Sequence, residues 1–190
     1  LERAFDAGQE GAQIGAVVHF AGLKAVAEST AQPLRYWEVN VAGSRLLLEV
    51  MQERGCRTLM FSSSATVYGM PQAVPIPETA VLLPINPYGH TKAAVEQLLS
   101  DVYASGLQNG MPWRIARLRC FNPAGAHPSG CIGEDPRREP SNLFPLLGQV
   151  ALGLQQRLEI YGDDWPTADG SGLRDYIHVM DLAAVSYTHL

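Results

Sequence analysis

Of the two lysines in this 190-residue chain, Lys92 stands four residues after a tyrosine, Tyr88. From Lys92 onward Ala93, Val95, Leu98 and Leu99 recur at helical spacing, and Pro87 sits where a helix start tolerates proline. Tyr88 and Lys92 therefore share one helix face, one turn apart, close enough for the ammonium to act on the phenol. Upstream, the apolar run Thr58-Leu59-Met60-Phe61 leads into three hydroxyls, Ser62, Ser63 and Ser64, then Ala65-Thr-Val-Tyr-Gly69. The run predicts a strand that ends in the serines, and in an open α/β sheet ligands bind at the carboxyl ends of strands. A hydroxyl, a phenol and a lysine gathered there make a proton-transfer site. Without the serine strand, the same pair would read as a surface lysine near a half-buried tyrosine.

The elements that must position these groups follow from periodicity and turn residues. Gly15-Ala-Val-Val-His-Phe20 is short, apolar and β-branched, as a buried parallel strand is. Gly8-x-x-Gly11-x-x-x-Gly15 imitates a dinucleotide loop, but it precedes a strand, whereas a phosphate loop follows one and opens a helix. After the strand come Ala21-Gly22-Leu23-Lys24, where a glycine permits close backbone approach to a ligand. Pro33 to Arg54 reads as one long helix, through Leu34, Trp37, Val41, Leu47, Leu48 and Met51, with Gly55 ending it. Asn40 interrupts its buried face and is read as a polar residue satisfied by a neighbouring backbone.

The Lys92 helix is expected to reach about Gly106, and Arg114-Ile-Ala-Arg-Leu-Arg119 to form a strand. Its alternation of apolar with basic residues suits a strand near a sheet edge or beneath another element. Residues 124–138, rich in Gly, Pro, Ser and charge, form a long loop of the kind that is usually functional or disordered. Ser141-Asn142 would cap a helix from Leu143 to Leu154, whose N-terminus suits a phosphate. Glu159 to Gly162 reads as a short strand and Asp163 to Leu173 as an irregular loop; Arg174-Asp-Tyr-Ile-His-Val179 follows. Arg174 is a candidate for a diphosphate, because a guanidinium fork matches phosphate oxygens. A salt bridge to Asp175 or Asp169 is the competing use. Strands alternating with helices give an α/β, Rossmann-like, doubly wound parallel sheet, incomplete here.

Composition narrows the class. Hydrophobic residues make up 46% of the chain, enough for a substantial core. A net charge of −5 offers no basic footprint for nucleic acid, and no apolar run is long enough for a membrane span. Cys56, Cys120 and Cys131 are odd in number and lack Cys-x-x-Cys spacing, so neither a disulfide framework nor a metal site is indicated. A cytoplasmic, metal-free protein is the expectation.

Ser62-Ser-Ser-Ala-Thr-Val-Tyr-Gly69, followed by Pro87-Tyr-Gly-x-Thr-Lys92, resembles the extended short-chain dehydrogenase/reductases, and within them the UDP-hexose 4-epimerases. Four further stretches carry the resemblance: His19–Val26, Phe121–Gly130, Gly133-Glu-Asp-Pro136 and Asp169–Leu182. Together they cover nearly all of the chain after Gly15. The resemblance implies an NAD-dependent isomerase of galactose metabolism that interconverts UDP-galactose and UDP-glucose through a transient 4-keto sugar. It implies Tyr88, Lys92 and Ser64 as catalytic residues, and Phe20, Ala21, Gly22, Leu23, Lys24 and Phe121, with the same triad, along the NAD. Asn122, Asn142, Leu143, Ile160, Tyr161 and Arg174, beside Ser64 and Tyr88, would hold the nucleotide sugar. Helices 33–54 and 88–106 would pair with their copies in a homodimer. Two positions depart from the family: Cys120 replaces a usual tyrosine, and Val39 stands where those epimerases have an NAD-contacting asparagine.

Within the same superfamily a 4,6-dehydratase is the nearest rival, but it carries an Asp-Glu pair where Ala65-Thr66 stand. A non-catalytic NAD-binding protein is the other; it predicts a broken triad, and this one is intact. The expected organisation is residues 1–125 as the C-terminal part of an NAD-binding domain and 126–173 as part of a substrate region. Residues 174–185 would return to the first domain, and 186–190 form a tail outside the family pattern. The chain reads as an internal fragment, inactive alone because it lacks the strand–Gly-rich turn–helix that should hold the pyrophosphate.

Overall fold

The computed structural model describes residues 1–6, 13–135, 140 and 142–188. Gly8, Gly11, Pro136 and Ser141, all invoked above, lie outside the described residues. The chain divides into two compact units, one centred on Leu1–Cys120 and the other Phe121–Tyr187.

The first unit is a parallel three-stranded sheet in the order β1 (Val17–His19), β2 (Thr58–Ser64), β3 (Arg114–Cys120). The register sets Phe61 opposite His19 and Arg117, and Ser64 opposite Cys120. A short α1 (Glu2–Asp6) opens the chain. The long helix expected at 33–54 is there, but in three pieces: α3 (Pro33–Tyr36), a π-helical segment Trp37–Ala42, and α4 (Gly43–Glu53). A further helix, α2 (Val26–Ala31), precedes it. A π segment inside a helix frequently marks a functional site, and this one carries Asn40.

The helix of Tyr88 and Lys92, α5, runs Pro87–Gln108, with Pro87 in its first turn and the Asn86 side chain accepting the Gly89 N–H at 2.8 Å. Asn86-Pro87, a capping residue followed by proline at the first helical position, is a helix-start signal in the sequence itself. Leu47, Leu48 and Met51 of α4 meet Val95 and Leu99 of α5, with Leu59, Phe61, Cys56 and Trp113, in one buried cluster. At full burial each such side chain contributes roughly 1.5–3 kcal/mol. After β2 a 3-10 turn (Ala65–Tyr68) ends at Gly69, whose φ is +63°. A Cβ there would stand 1.9 Å from the Leu83 carbonyl oxygen, so only glycine lets the 65–85 excursion close.

The second unit holds a two-stranded parallel sheet, β4 (Asn122–Ala124) beside β5 (Tyr176–His178), with α6 (Leu143–Ala151) and α7 (Val179–Thr188). Phe144 and Tyr176 meet edge to face at 5.1 Å, joining α6 to β5. The strand expected at Glu159–Gly162 does not form; Ile160 and Tyr161 are 80% and 90% exposed, and no described strand pairs with them. A short apolar run becomes a strand only when a neighbour satisfies its backbone groups. The last helix, α7, buries Ser186.

Candidate active site

β2 ends at Ser64 just as its hydroxyl accepts the Thr66 N–H at 3.2 Å, capping the 3-10 turn; Ser64 Oγ and Thr66 Oγ1 are also hydrogen bonded. The Tyr88 phenol comes close enough to Ser64 for that hydroxyl to favour its ionised form. One turn along, Lys92 is 6% exposed; its ammonium donates to the Ser62 carbonyl at 2.7 Å and lies 4.7 Å from the centroid of the Phe61 ring. It stands 5.9 Å from the centroid of the Tyr88 ring. The three residues predicted to do the chemistry are therefore brought together at the carboxyl end of β2.

The start of α5 is held from two further directions. Ser29 Oγ of α2 accepts the Tyr88 N–H at 3.2 Å, and Thr91 Oγ1 donates to the Tyr88 carbonyl at 2.7 Å while accepting from Asn40 Nδ2 at 3.1 Å. Asn40 also donates to the Leu23 carbonyl at 3.0 Å and accepts the Leu23 N–H at 2.8 Å. Its amide thus pairs with Leu23 as a neighbouring strand would, the backbone satisfaction expected for it. Ser29 had no sequence signal beyond a small hydroxylated side chain in a helix, whereas Thr91 stands inside the Pro87–Lys92 motif, which does not reveal its partners.

Electrostatics correct one expectation. Lys92 was to lower the Tyr88 phenol, yet in this chain burial is the largest influence and pushes the phenol above its ordinary value; the Ser64 hydroxyl opposes it. The ammonium is spent on Ser62 rather than on the phenol oxygen, so desolvation wins. Burial also brings Lys92 down from 10.5 to about 8. Cys120 is close enough to influence both groups, and burial raises its thiol. His19 at the end of β1 is lowered, first by burial and then by Lys92; its Nε2 lies 2.9 Å from Ser44 Oγ.

Beside the triad, Phe20, Ala21, Gly22 and Lys24 are exposed, with Leu23 pinned by Asn40. Gly22 has φ +157°; a Cβ there would meet Asn40 Oδ1 at 3.0 Å and approach Lys92 Nζ at 4.0 Å. The absent side chain leaves an open, rigid cradle beside the ammonium. That cradle, at the adjoining ends of two parallel strands, fits a dinucleotide.

The remaining predicted residues lie in the second unit. Phe121 is 41% exposed. Asn122 donates through Nδ2 to the Asp175 carbonyl at 2.8 Å, and its backbone N–H donates to the same oxygen, which fastens β4 to β5. Asn142 occupies the N-cap of α6 without a side-chain capping bond, Leu143 is 44% exposed, and the Tyr161 hydroxyl donates to Glu159 at 3.3 Å. Arg174 donates to the Leu173 carbonyl at 2.7 Å. Within this unit Asn122 and Arg174 come near one another through Asp175.

Parallel strands with a phenol, an ammonium and a hydroxyl gathered at the carboxyl end of β2 make a Rossmann-like α/β arrangement. Residues 3–190 match the NAD dependent epimerase/dehydratase family, and the chain belongs to it. It is 53% identical over 171 residues to the UDP-glucose 4-epimerase of Bacillus subtilis (strain 168), covering 90% of this chain and 49% of that protein. Among solved structures it resembles the UDP-glucose 4-epimerase from Stenotrophomonas maltophila with bound NAD and formylated UDP-arabinopyranose. The TM-score is 0.90 and the identity 50%, over 99% of this chain and 55% of that one. The Bifidobacterium longum UDP-glucose 4-epimerase in complex with NAD+ and UDP gives a TM-score of 0.88 at 47% identity, over 96% and 52%. The chain spans about half the length of the curated relatives it matches.

Proposed function

We propose that the protein containing this chain is an NAD-dependent UDP-hexose 4-epimerase, interconverting UDP-galactose and UDP-glucose. The observation that supports the reading is the approach of the Tyr88 phenol to Ser64 at the end of β2, with Lys92 one turn along, followed by Ala65 and Thr66 rather than by acids. A dehydratase needs carboxylates there for elimination, so epimerisation is the better fit.

Phe20–Lys24, Tyr88, Lys92 and Phe121 are the residues that would hold NAD, whose chemistry would be to accept and return a hydride. The chain's own residues manage the proton and the position. Tyr88 takes the proton of the sugar 4-hydroxyl and returns it; Ser64 orients the 4-oxygen and shares the proton path. Since burial raises the phenol above its ordinary value, the base form would need added positive charge beside it, which oxidised NAD would bring when bound. Asn122, Asn142, Leu143, Ile160, Tyr161 and Arg174 grip the nucleotide and diphosphate, so that the hexose alone can turn over between two faces. Asn122 has its Nδ2 committed to Asp175, which makes Oδ1 the atom it offers.

The test is a full-length clone assayed for interconversion of UDP-galactose and UDP-glucose beside Tyr88→Phe. The variant is expected to lose about 10²–10⁴-fold in kcat, the span of a general acid–base group. Equal rates would remove Tyr88 from the chemistry.

The same protein is proposed to be a cytoplasmic homodimer. No helix among the described residues is long and apolar enough to cross a membrane. Leu34 is 84% and Trp37 43% exposed on a groove that also includes Val41 and Leu98, drawn from the two helical stretches expected to pair. Sedimentation of the full-length protein should show a dimer that Trp37→Glu converts to monomer; a monomeric parent would exclude the pairing.

A further inference from the structure

Glu96 is 1% exposed, yet it is an acid and takes no part in the proton path above. It lies one turn beyond Lys92, so Tyr88, Lys92 and Glu96 follow each other along α5. Its carboxylate accepts from Ser63 Oγ at 2.5 Å and takes a two-pronged grip from Arg119, with Nε at 3.0 Å and Nη2 at 2.7 Å. Arg119 is the register partner of Ser63 across β2 and β3. Its remaining Nη1 donates to the Tyr68 hydroxyl at 2.8 Å and the Glu78 carbonyl at 2.9 Å. Arg117 approaches the same carboxylate at 4.0 Å.

One carboxylate therefore gathers α5, the ends of β2 and β3, the turn after Ser64 and the loop beyond it. As a source of stability this is a poor choice, because a buried ion pair is often no better than apolar residues of the same volume. What it provides is direction. Lys92 bonds to Ser62 and Glu96 to Ser63, so two successive helical turns are tied to two successive strand residues. A shift of one residue along the helix, about 1.5 Å, would break both ties.

We propose that Glu96 and Arg119 are positioning residues: they hold α5 in register with the ends of β2 and β3 and so set the contact between Tyr88 and Ser64. This rests on the reading of Tyr88 as the proton-transfer group. The groups facing its phenol are Ser64, Lys92 and Cys120; neither Glu96 nor Arg119 is among them, so they act through the geometry of the backbone.

The experiment uses the full-length protein and three variants: Glu96→Gln, the milder Ser63→Ala, and Leu99→Ala. Leu99 is equally buried on the same helix but belongs to the apolar cluster. Two quantities are read: kcat with UDP-galactose per folded molecule, and the ionisation of the Tyr88 phenol, taken as the difference spectrum against the matching Tyr88→Phe protein. Glu96→Gln should lower kcat about tenfold or more, as misplacement by a fraction of an ångström does, with KM within about twofold. Its phenol should ionise at higher pH, because the Ser64 contact that opposes burial is weakened. Ser63→Ala should move both in the same direction by less, and it decides the matter if Glu96→Gln does not fold. Leu99→Ala should lower the melting temperature and move neither. An unchanged phenol and kcat in the Glu96 and Ser63 variants, or the same changes in Leu99→Ala, would overturn the proposal. Were the parent inactive on UDP-galactose while the phenol still moved in Glu96→Gln and not in Leu99→Ala, the epimerase reading would fall and the positioning role would stand.

Discussion

The hydrogen bonds around Tyr88 and the residues expected to grip the nucleotide make an instructive contrast. In residues 1–120, Ser64, Ser29, Thr91 and Lys92 each touch Tyr88 or lie beside it, and each is held by a further partner. Every buried apolar side chain among the described residues lies between Tyr36 and Trp113. Among the described residues of Phe121–Tyr187 only Ser186 is buried; Leu152, Leu154, Ile160 and Leu173 are all at least 75% exposed. The surroundings of Tyr88 are thus organised by their own packing, whereas most of the side chains proposed to grip the nucleotide face solvent. For the proposed epimerase this division would have a use: the reacting groups must not move, while the holder of the diphosphate orders around it, and ordering on binding costs part of the interaction energy.

The sharpest way to break this contrast is at Lys92. Lys92→Met in the full-length protein should cost about 10²-fold in kcat, since the tie from α5 to the Ser62 carbonyl that helps to place Tyr88 is removed. The same change should not destabilise the fold at neutral pH. Burial depresses the ammonium from 10.5 to about 8, so the unfolded chain binds more protons between those values and stability rises with pH across that window. The cost of burying the charge, roughly 3 kcal/mol before the Ser62 hydrogen bond offsets part of it, is present in full below pH 8. Denaturation of Lys92→Met against the parent should therefore show its best relative stability at pH 7 and lose that advantage by pH 10.5. A Met variant that is markedly less stable at pH 7 would mean the ammonium is a structural tie first.

A smaller effect is expected at Asn40. Asn40→Ala leaves the Leu23 N–H and carbonyl without their partner and releases Thr91. About 2 kcal/mol should be lost in urea denaturation, the usual cost of orphaned buried polar groups. An unchanged midpoint would show that water replaces the amide and that the pre-organised half is less rigid than its hydrogen bonds suggest.

The smallest expected change tests the other half. Arg174→Ala should weaken UDP binding to the full-length enzyme about tenfold by calorimetry, the worth of one charge-assisted bond, with kcat at saturation unaltered. A fall in kcat with unchanged binding would put Arg174 on the chemical side of the division.

How much of this was legible beforehand varied with the physics involved. The Tyr88–Lys92 pair, its helix and the serine-ended strand follow from spacing alone, because 3.6 residues per turn and burial of an apolar run are local rules. The alternating arginines of Arg114–Arg119 announced something packed over that strand, but not that Glu96 would be what they meet. The strand at Glu159–Gly162 failed for the converse reason: its propensity was local and its partner was not.

By itself, then, the order of residues determined which helix carries the phenol and the ammonium, where the strand before it stops, and which family the chain belongs to. Only the folded structure decided that the ammonium binds Ser62, that burial outweighs it at Tyr88, and that Ser63, Glu96 and Arg119 share one buried site. Those outcomes depend on desolvation and on contacts between residues far apart in the chain, which no spacing rule contains.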